Sequence, residues 1–388
     1  MSFDASDLLW LLLPLAAASG WLAARFEQKR HARQSLDLPS AYFKGLNFLL
    51  NEQPDKAIEV FIRVLEVNSD TVETHLALGN LFRRRGEVER AIRIHQNLIA
   101  RPTLDKEQRS QALLELGQDY LKAGLFDRAE NLFLELAEIR AHSEQALKLL
   151  LHIYQQEKEW EKAISITRKL ARASGKNMDE MIAHFYCELA DQDYARKNYS
   201  AAREHLKRAF AADDKCVRAS MLLGDIAAQE GKYREAIDDW CRIEEQDMHY
   251  LGEVAGRIAA GFKQLNDEQG LYEYFRASLQ RHGGVSLALA FADVISVRDG
   301  VPAAEKFIVE WLRRTPNVHG LHKLLELNLV KAPDSGRNDL LLLKGIIEDL
   351  RAQHLGYACG QCGFKGKALH WLCPGCNRWN TIKPVREE

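Results

Sequence analysis

The chain has 388 residues, with 53 Lys and Arg against 55 Asp and Glu, and its formal charge of −2 provides no global field toward nucleic acid. It contains seven cysteines, an odd number, and four of them crowd at the C-terminus. That usage excludes a secreted disulfide scaffold and fits a reducing compartment.

The first element is apolar. Leu8 to Ala24 reads LLWLLLPLAAASGWLAA without a charge, a helix of about 25 Å and at the short end for a bilayer core. Trp10 and Trp21 stand near its ends, where indoles favour the interface, and Pro14 is tolerated as a membrane-helix kink. The competing reading is a cleaved signal peptide, with Ala16 to Gly20 as its small-residue run. The start MSFDASD, however, carries two Asp and no Lys or Arg, whereas Arg25, Lys29, Arg30 and Arg33 come afterwards. This asymmetry predicts an uncleaved single-pass anchor over residues 1–24, in contact with membrane lipid. A basic juxtamembrane linker over 25–39 follows, with the rest of the chain on the cytoplasmic side.

From Val72 to Arg101 two amphipathic segments meet at Gly86. Leu76, Leu78, Leu81 and Phe82 form the stripe of the first; Ala91, Ile92, Ile94, Leu98 and Ile99 form that of the second. The small residue Ala91 recurs as Ala57, Ala129, Ala163, Ala202, Ala236 and Ala304, with Gly270 in a worn copy. Most steps are 34 residues, as from Ala57 to Ala91. Gly79 recurs as Gly45, Gly117 and Gly224, and a bulky second-segment position recurs as Phe61, His95, Phe133, Leu206 and Trp240. The unit resembles a tetratricopeptide repeat, which cannot bury its apolar face without copies on either side. An all-α tetratricopeptide-repeat solenoid is therefore predicted over 40–354. Its terminal capping helices fall near Leu321 to Val330 and Leu340 to Gln353, with Ala332 to Asn338 as the loop between them.

In such repeats the first helices line a groove, where Asn80, Arg83, Gln118, Lys148 and His152 would offer a mixed polar surface to a partner. Arg83 to Arg85 read first as cations at a helix C-terminus and second as a site for partner carboxylates. Leu76 stands where a carboxylate-clamping lysine would be needed, so the chaperone-tail ligand of related repeats is not expected. Cys187, Cys216 and Cys241 read as single, buried, unreactive thiols, and His184 with Cys187 as packed helix interior, since two ligands do not make a structural metal site.

Residues 355–388 hold two C-x-x-C turns, Cys359/Cys362 and Cys373/Cys376, ten residues apart. Four thiolates so placed suit structural zinc or a single iron, and the segment is too short to fold on its own core. Tyr357, Phe364, Leu369, Trp371 and Trp379 would form a small apolar cluster, with the module folded against the end of the array. Lys365, Lys367, Arg378, Lys383 and Arg386 make the module basic. The ten-residue gap is much shorter than in true rubredoxins. No phosphate-binding loop, HExxH, GxSxG or GxGxxG motif is present, and an enzyme is not expected. An iron-loaded redox carrier and a nucleic-acid-binding zinc ribbon stand as alternatives to a binding scaffold.

The three parts together resemble the lipopolysaccharide assembly protein B family. The resemblance rests on LLWLLLPLAAASGW, on LGNLFRRRGEVERAIRIHQ from Leu78 to Gln96, on AHFYCELA from Ala183 to Ala190, and on the four cysteines with TIKP at Thr381 to Pro384. It implies a bacterial inner-membrane protein with cytoplasmic repeats and a rubredoxin-type domain binding one iron or zinc ion. It also implies a regulator of lipopolysaccharide synthesis that promotes degradation of the deacetylase LpxC by a membrane protease of the FtsH type. Other inner-membrane proteins of that pathway are implied as partners; nucleic acid is not, and self-association is left open.

Overall fold

The computed structural model describes residues 40–51, 53–67, 72–139, 142–331, 333–353 and 355–385; the predicted anchor and basic linker lie outside them. Among the described residues no helix is long and apolar enough to cross a membrane. The helices are α1 (Ser40–Leu50), α2 (Pro54–Val67), α3 (Val72–Arg84), α4 (Val88–Ile99), α5 (Lys106–Lys122), α6 (Phe126–Glu138) and α7 (Ser143–Gln156). They continue as α8 (Trp160–Ser174), α9 (Asp179–Ala195), α10 (Tyr199–Ala212), α11 (Val217–Gln229), α12 (Tyr233–Cys241) and α13 (Ile243–Gln246). A 3-10 turn (Met248–Tyr250) leads into α14 (Leu251–Gln264), α15 (Glu268–His282), α16 (Val285–Arg298), α17 (Val301–Arg314), α18 (Val318–Lys331) and α19 (Asp334–Gln353). This is the expected tetratricopeptide-repeat solenoid, followed by a small metal-binding module that carries the strands.

Two local devices repeat along the helices. The first is a close approach between paired helices. Ala57, Ala91, Ala129, Ala163, Ala202, Ala236 and Ala304 have no exposed surface. Gly45, Gly79, Gly117 and Gly224 each lie against the ring of the residue sixteen positions later, respectively Phe61, His95, Phe133 and Trp240, and a methyl group at any of the four would overlap that ring. The second device is the turn. Gly86, Gly124 and Gly231 adopt positive φ, and so do Lys158, Lys197 and Asn266 at the same repeat position. The following N–H reaches back to a carbonyl of the preceding helix, as in Leu125 to Tyr120 at 2.9 Å and Asn198 to Asp193 at 2.9 Å. This Schellman closure ends the first helix and starts the second within three residues.

The described residues divide into two compact units, one up to Ile153 and one from Tyr154. In the first, Ala57, Phe61, Leu78, Leu81, Phe82 and Ala91 form an apolar cluster. In the second, one continuous core runs from Val217 to Leu327 and includes Trp240, Tyr250, Ile258 and Phe275. The last helix departs from expectation: α19 begins at Asp334, so most of the anticipated Ala332 to Asn338 loop is helical. Pro followed by Asp and Ser is also a helix-start signature, and here it acts as one.

The module has three short strands, β1 (Tyr357–Cys359), β2 (Lys365–Gly366) and β3 (Ile382–Pro384), in the order β2-β1-β3 and antiparallel. Tyr357 pairs with Gly366 on one side and Pro384 on the other. Cys359, Cys373 and Ile382 form its core, with Tyr357, Phe364, Leu369 and Cys376 packed around them.

Candidate metal centre

Each pair of cysteines sits on a tight turn. In the first turn Gly363 N–H donates to the Cys359 carbonyl at 3.0 Å; in the second Asn377 N–H donates to the Cys373 carbonyl at 2.9 Å. The residue after each second cysteine, Gly363 or Asn377, takes positive φ, which asparagine tolerates better than other side chains. Backbone N–H groups then turn toward sulfur, as Gln361 N to Cys359 Sγ at 3.4 Å.

The four Sγ atoms all lie within 4.8 Å of one another. Cys359 and Cys376 approach to 3.8 Å, and Cys362 and Cys373 to 3.7 Å. A tetrahedron with metal–sulfur bonds of about 2.3 Å has edges of about 3.8 Å, so the cysteines are arranged to bind one metal ion. Among the described residues this is the cluster of metal-ligating groups. The Thr381 hydroxyl, 3.3 Å from Cys359 Sγ, leads the groups that hold that thiol down at about 6. At Cys362 the Phe364 N–H favours the thiolate, but desolvation and the neighbouring sulfurs outweigh it and push the thiol up to about 12. Sulfurs this crowded need a cation before all four can ionise. Cys362 is exposed, whereas Cys359 and Cys373 are buried.

The module does not rest against the end of the array. It folds back onto α9, α11, α14 and the Met248–Tyr250 turn, and its two tryptophans lie in that seam rather than in the module's own apolar cluster with Tyr357, Phe364 and Leu369. Trp371 stacks on Tyr250 at 5.5 Å, tilts against His184 at 5.7 Å and receives the Arg218 guanidinium at 5.9 Å. Trp379 stacks on His184 at 5.4 Å and meets Phe185 edge-on at 5.5 Å and Trp160 edge-on at 6.2 Å. The reason is size: a core of two cysteines and one isoleucine cannot cover two indoles, and the helices can.

Polar contacts fix the register of this seam. The Tyr250 hydroxyl, fully buried, lies 3.1 Å from the Ile382 carbonyl and 3.2 Å from Asn380 Oδ1. Tyr357 donates to Glu253 at 2.8 Å, Asn380 Nδ2 to Glu180 at 2.6 Å, and Lys383 pairs with Asp247 at 2.7 Å. Burial and the Glu253 carboxylate push the Tyr357 hydroxyl up to about 12. Burial pulls the Asp247 carboxyl upward, but bonds from Lys383 and His249 outweigh it and hold the group below its ordinary range. Of the basic residues in the module, Lys383 is therefore neutralised in the seam and Arg378 bonds Gln361 at 2.6 Å; Arg386 lies outside the described residues.

Burial, then the Arg218 charge, lower His184 to about 3. Arg218 itself pairs with Glu188 at 2.9 Å and Asp191 at 2.5 Å. Cys187 and Cys216 are not single thiols. Their sulfurs meet at 3.8 Å beneath this seam, and burial raises the Cys187 thiol well above its ordinary range. Cys241 stands apart and is pushed up to about 11 by burial.

The five candidate partner residues all lie in the first unit. Lys148 and His152 are exposed one turn apart on α7, and Lys148 pairs with Glu144 at 2.7 Å. Gln118 is half-buried, and Asn80 Oδ1 is buried without a hydrogen-bond partner. Arg83 is engaged internally, with Glu115 at 2.6 Å and Asp119 at 2.8 Å; Asp119 in turn meets His95 Nδ1 at 2.5 Å. Sequence reasoning passed over this network. Its signal was a His in the slot that other repeats fill with an apolar side chain, together with Glu115 and Asp119 one turn apart in the largely apolar run from Ala112 to Leu121.

Residues 357–384 match the family model described as rubredoxin metal binding domain, and residues 74–110 and 187–248 match tetratricopeptide repeat models. The lipopolysaccharide assembly protein B of Escherichia coli strain K12 is 38% identical over 382 residues, covering 98% of each chain. That of Haemophilus influenzae is 35% identical over 392 residues, covering 98% of this chain and 99% of the relative. With that identity across nearly the whole of both relatives, this protein belongs to the lipopolysaccharide assembly protein B family.

Proposed function

We propose that the protein is a membrane-anchored cytoplasmic adaptor that lowers flux into lipopolysaccharide by bringing the deacetylase LpxC to an FtsH-type membrane protease. In this reading residues 1–24 are the anchor, 25–39 a linker, 40–354 the partner-binding array and 355–388 the metal module, with the bulk of the chain at the inner face of a bacterial inner membrane. The adaptor performs no chemistry of its own. Holding a soluble enzyme on the surface where the protease sits raises effective concentration without a new reaction.

One observation carries the reading within the family. The metal module is not tethered loosely: two indoles, the Tyr250 ring and five polar contacts seat it on the repeat helices. Metal centre and helices thus present a single fixed surface, which is what a scaffold for a folded partner needs. In the first unit the groove residues Asn80, Gln118, Lys148 and His152, with Arg83 in a supporting place, remain proposed contact points.

The test is the half-life of LpxC in cells. Deleting residues 1–24 should lengthen that half-life through lost co-localisation, and the double change Trp371→Ala with Trp379→Ala should do so with the chain still at the membrane. Unchanged half-lives in both strains and in the full deletion would exclude the adaptor reading.

A further inference from the structure

A second site lies away from the metal, between the outer helices of adjacent repeats. A cavity of about 400 Å³ opens between α8 and α10, floored by α9. One face of α8 gives it Arg168, Lys169 and Arg172, and α10 gives Arg208 and His205. Glu161 is the one carboxylate among the lining residues. Four permanent cations against one anion is a marked local excess in a chain whose formal charge is −2.

The cations are also left unmatched. Elsewhere in the same unit Arg203 and Arg218 each pair with two carboxylates. Among the described residues Lys169 and Arg172 have no ion pair. Arg168 donates only to the Tyr186 hydroxyl, at 3.1 Å, and Arg208 meets Glu204 in an exposed pair at 3.3 Å, a contact worth little in water. Arg168 and Arg172 are one helical turn apart, where like charges repel. An anion in the cavity would relieve that repulsion. The floor is apolar, made of Ile164, Leu189 and the ring of Tyr186.

These features select the ligand. All three walls are helices whose backbone groups are spent internally, so an extended acidic peptide would find no main-chain partners there. Guanidinium forks around an open, partly apolar pocket of this size suit a compact, doubly charged oxyanion on a small body. The geometry points to a phosphomonoester-binding site at Arg168, Arg172 and Arg208, with the apolar part of the ligand on Ile164 and Leu189. Such a group could come from a soluble metabolite or from a lipid headgroup.

Isothermal titration calorimetry on the full chain tests it with phenyl phosphate as probe. One equivalent should bind, more tightly than inorganic phosphate. Arg168→Gln with Arg172→Gln should weaken it at least tenfold, and Lys263→Gln, an exposed cation elsewhere, should change it less than twofold. Arg172→Gln alone, which breaks no internal contact, should weaken it severalfold, and circular dichroism would show the helices retained. Glycerol 3-phosphate and dihexanoyl phosphatidic acid then separate the sources: tighter binding of the first indicates a soluble ligand, tighter binding of the second a lipid headgroup. No saturable binding of phenyl phosphate, binding that survives the double change, or a hexaglutamate peptide that displaces phenyl phosphate at lower concentration would each overturn the assignment.

Discussion

His184 ties the stability of the metal module's seat to pH. Its ring is held between Trp371 and Trp379, and burial lowers it to about 3 from an ordinary value of 6.5. In the unfolded chain the same imidazole takes a proton below pH 6.5, which the folded protein refuses until about pH 3. The stability contributed by the neutral ring is therefore complete above 6.5 and is lost as pH falls from there toward 3. At about 1.4 kcal/mol per unit, moving from pH 7 to pH 5 should cost about 2 kcal/mol through this residue alone. The comparison is His184→Phe, which keeps an aromatic ring against Trp379, removes the titration and removes the unpartnered Nδ1. Urea midpoints read by tryptophan fluorescence at pH 7, 6 and 5 report on the seam directly, because Trp160, Trp371 and Trp379 surround the site. Both proteins carry the same metal centre, so its own response to acid cancels in the difference. Equal losses of stability in the two proteins between pH 7 and pH 5 would refute the reasoning.

Three further outcomes are expected. Cys359→Ser with Cys362→Ser should abolish stoichiometric metal and leave the segment after residue 355 open to protease; metal analysis and limited proteolysis check both. Lys197, at φ 61° in a position that other repeats give to glycine, should be improved by Lys197→Gly; the expected gain is roughly 0.5–1 kcal/mol in a urea titration, the left-handed penalty less the added chain entropy of glycine. Tyr250→Phe keeps the stack on Trp371 but leaves the Ile382 carbonyl and Asn380 without their donor. It should cost about 1–3 kcal/mol, seen as faster proteolytic release of the module.

The repeats were legible because their constraints are local. A small residue on a 34-residue period, a left-handed turn residue and a bulky partner sixteen positions on can all be read within one unit. The metal site was legible because four ligands at fixed spacing have few other uses. The seat of the module was not, because the residues that make it lie as much as 200 positions apart, as Glu180 and Asn380 do. Runs of burial along the helices do not mark it either. On α9 the six residues from Ile182 to Cys187 are all buried, and on α11 the five from Val217 to Met221. On α5, in the first unit, the six from Ala112 to Gly117 are buried as well. A helix buried around its whole circumference must be covered on a second side. An apolar run alone does not establish such cover, since Leu341, Leu342 and Leu343 of α19 are exposed. The deciding evidence is on the partner's side of the seam. The C-terminal segment carries two tryptophans that its own core is too small to bury, and α9 offers His184 and Phe185 on a face that its neighbouring repeats leave open. Matching unburied aromatic surface on a small metal module to surplus apolar surface on a repeat helix is a reading that both stretches of sequence permit, once each is asked what covers it.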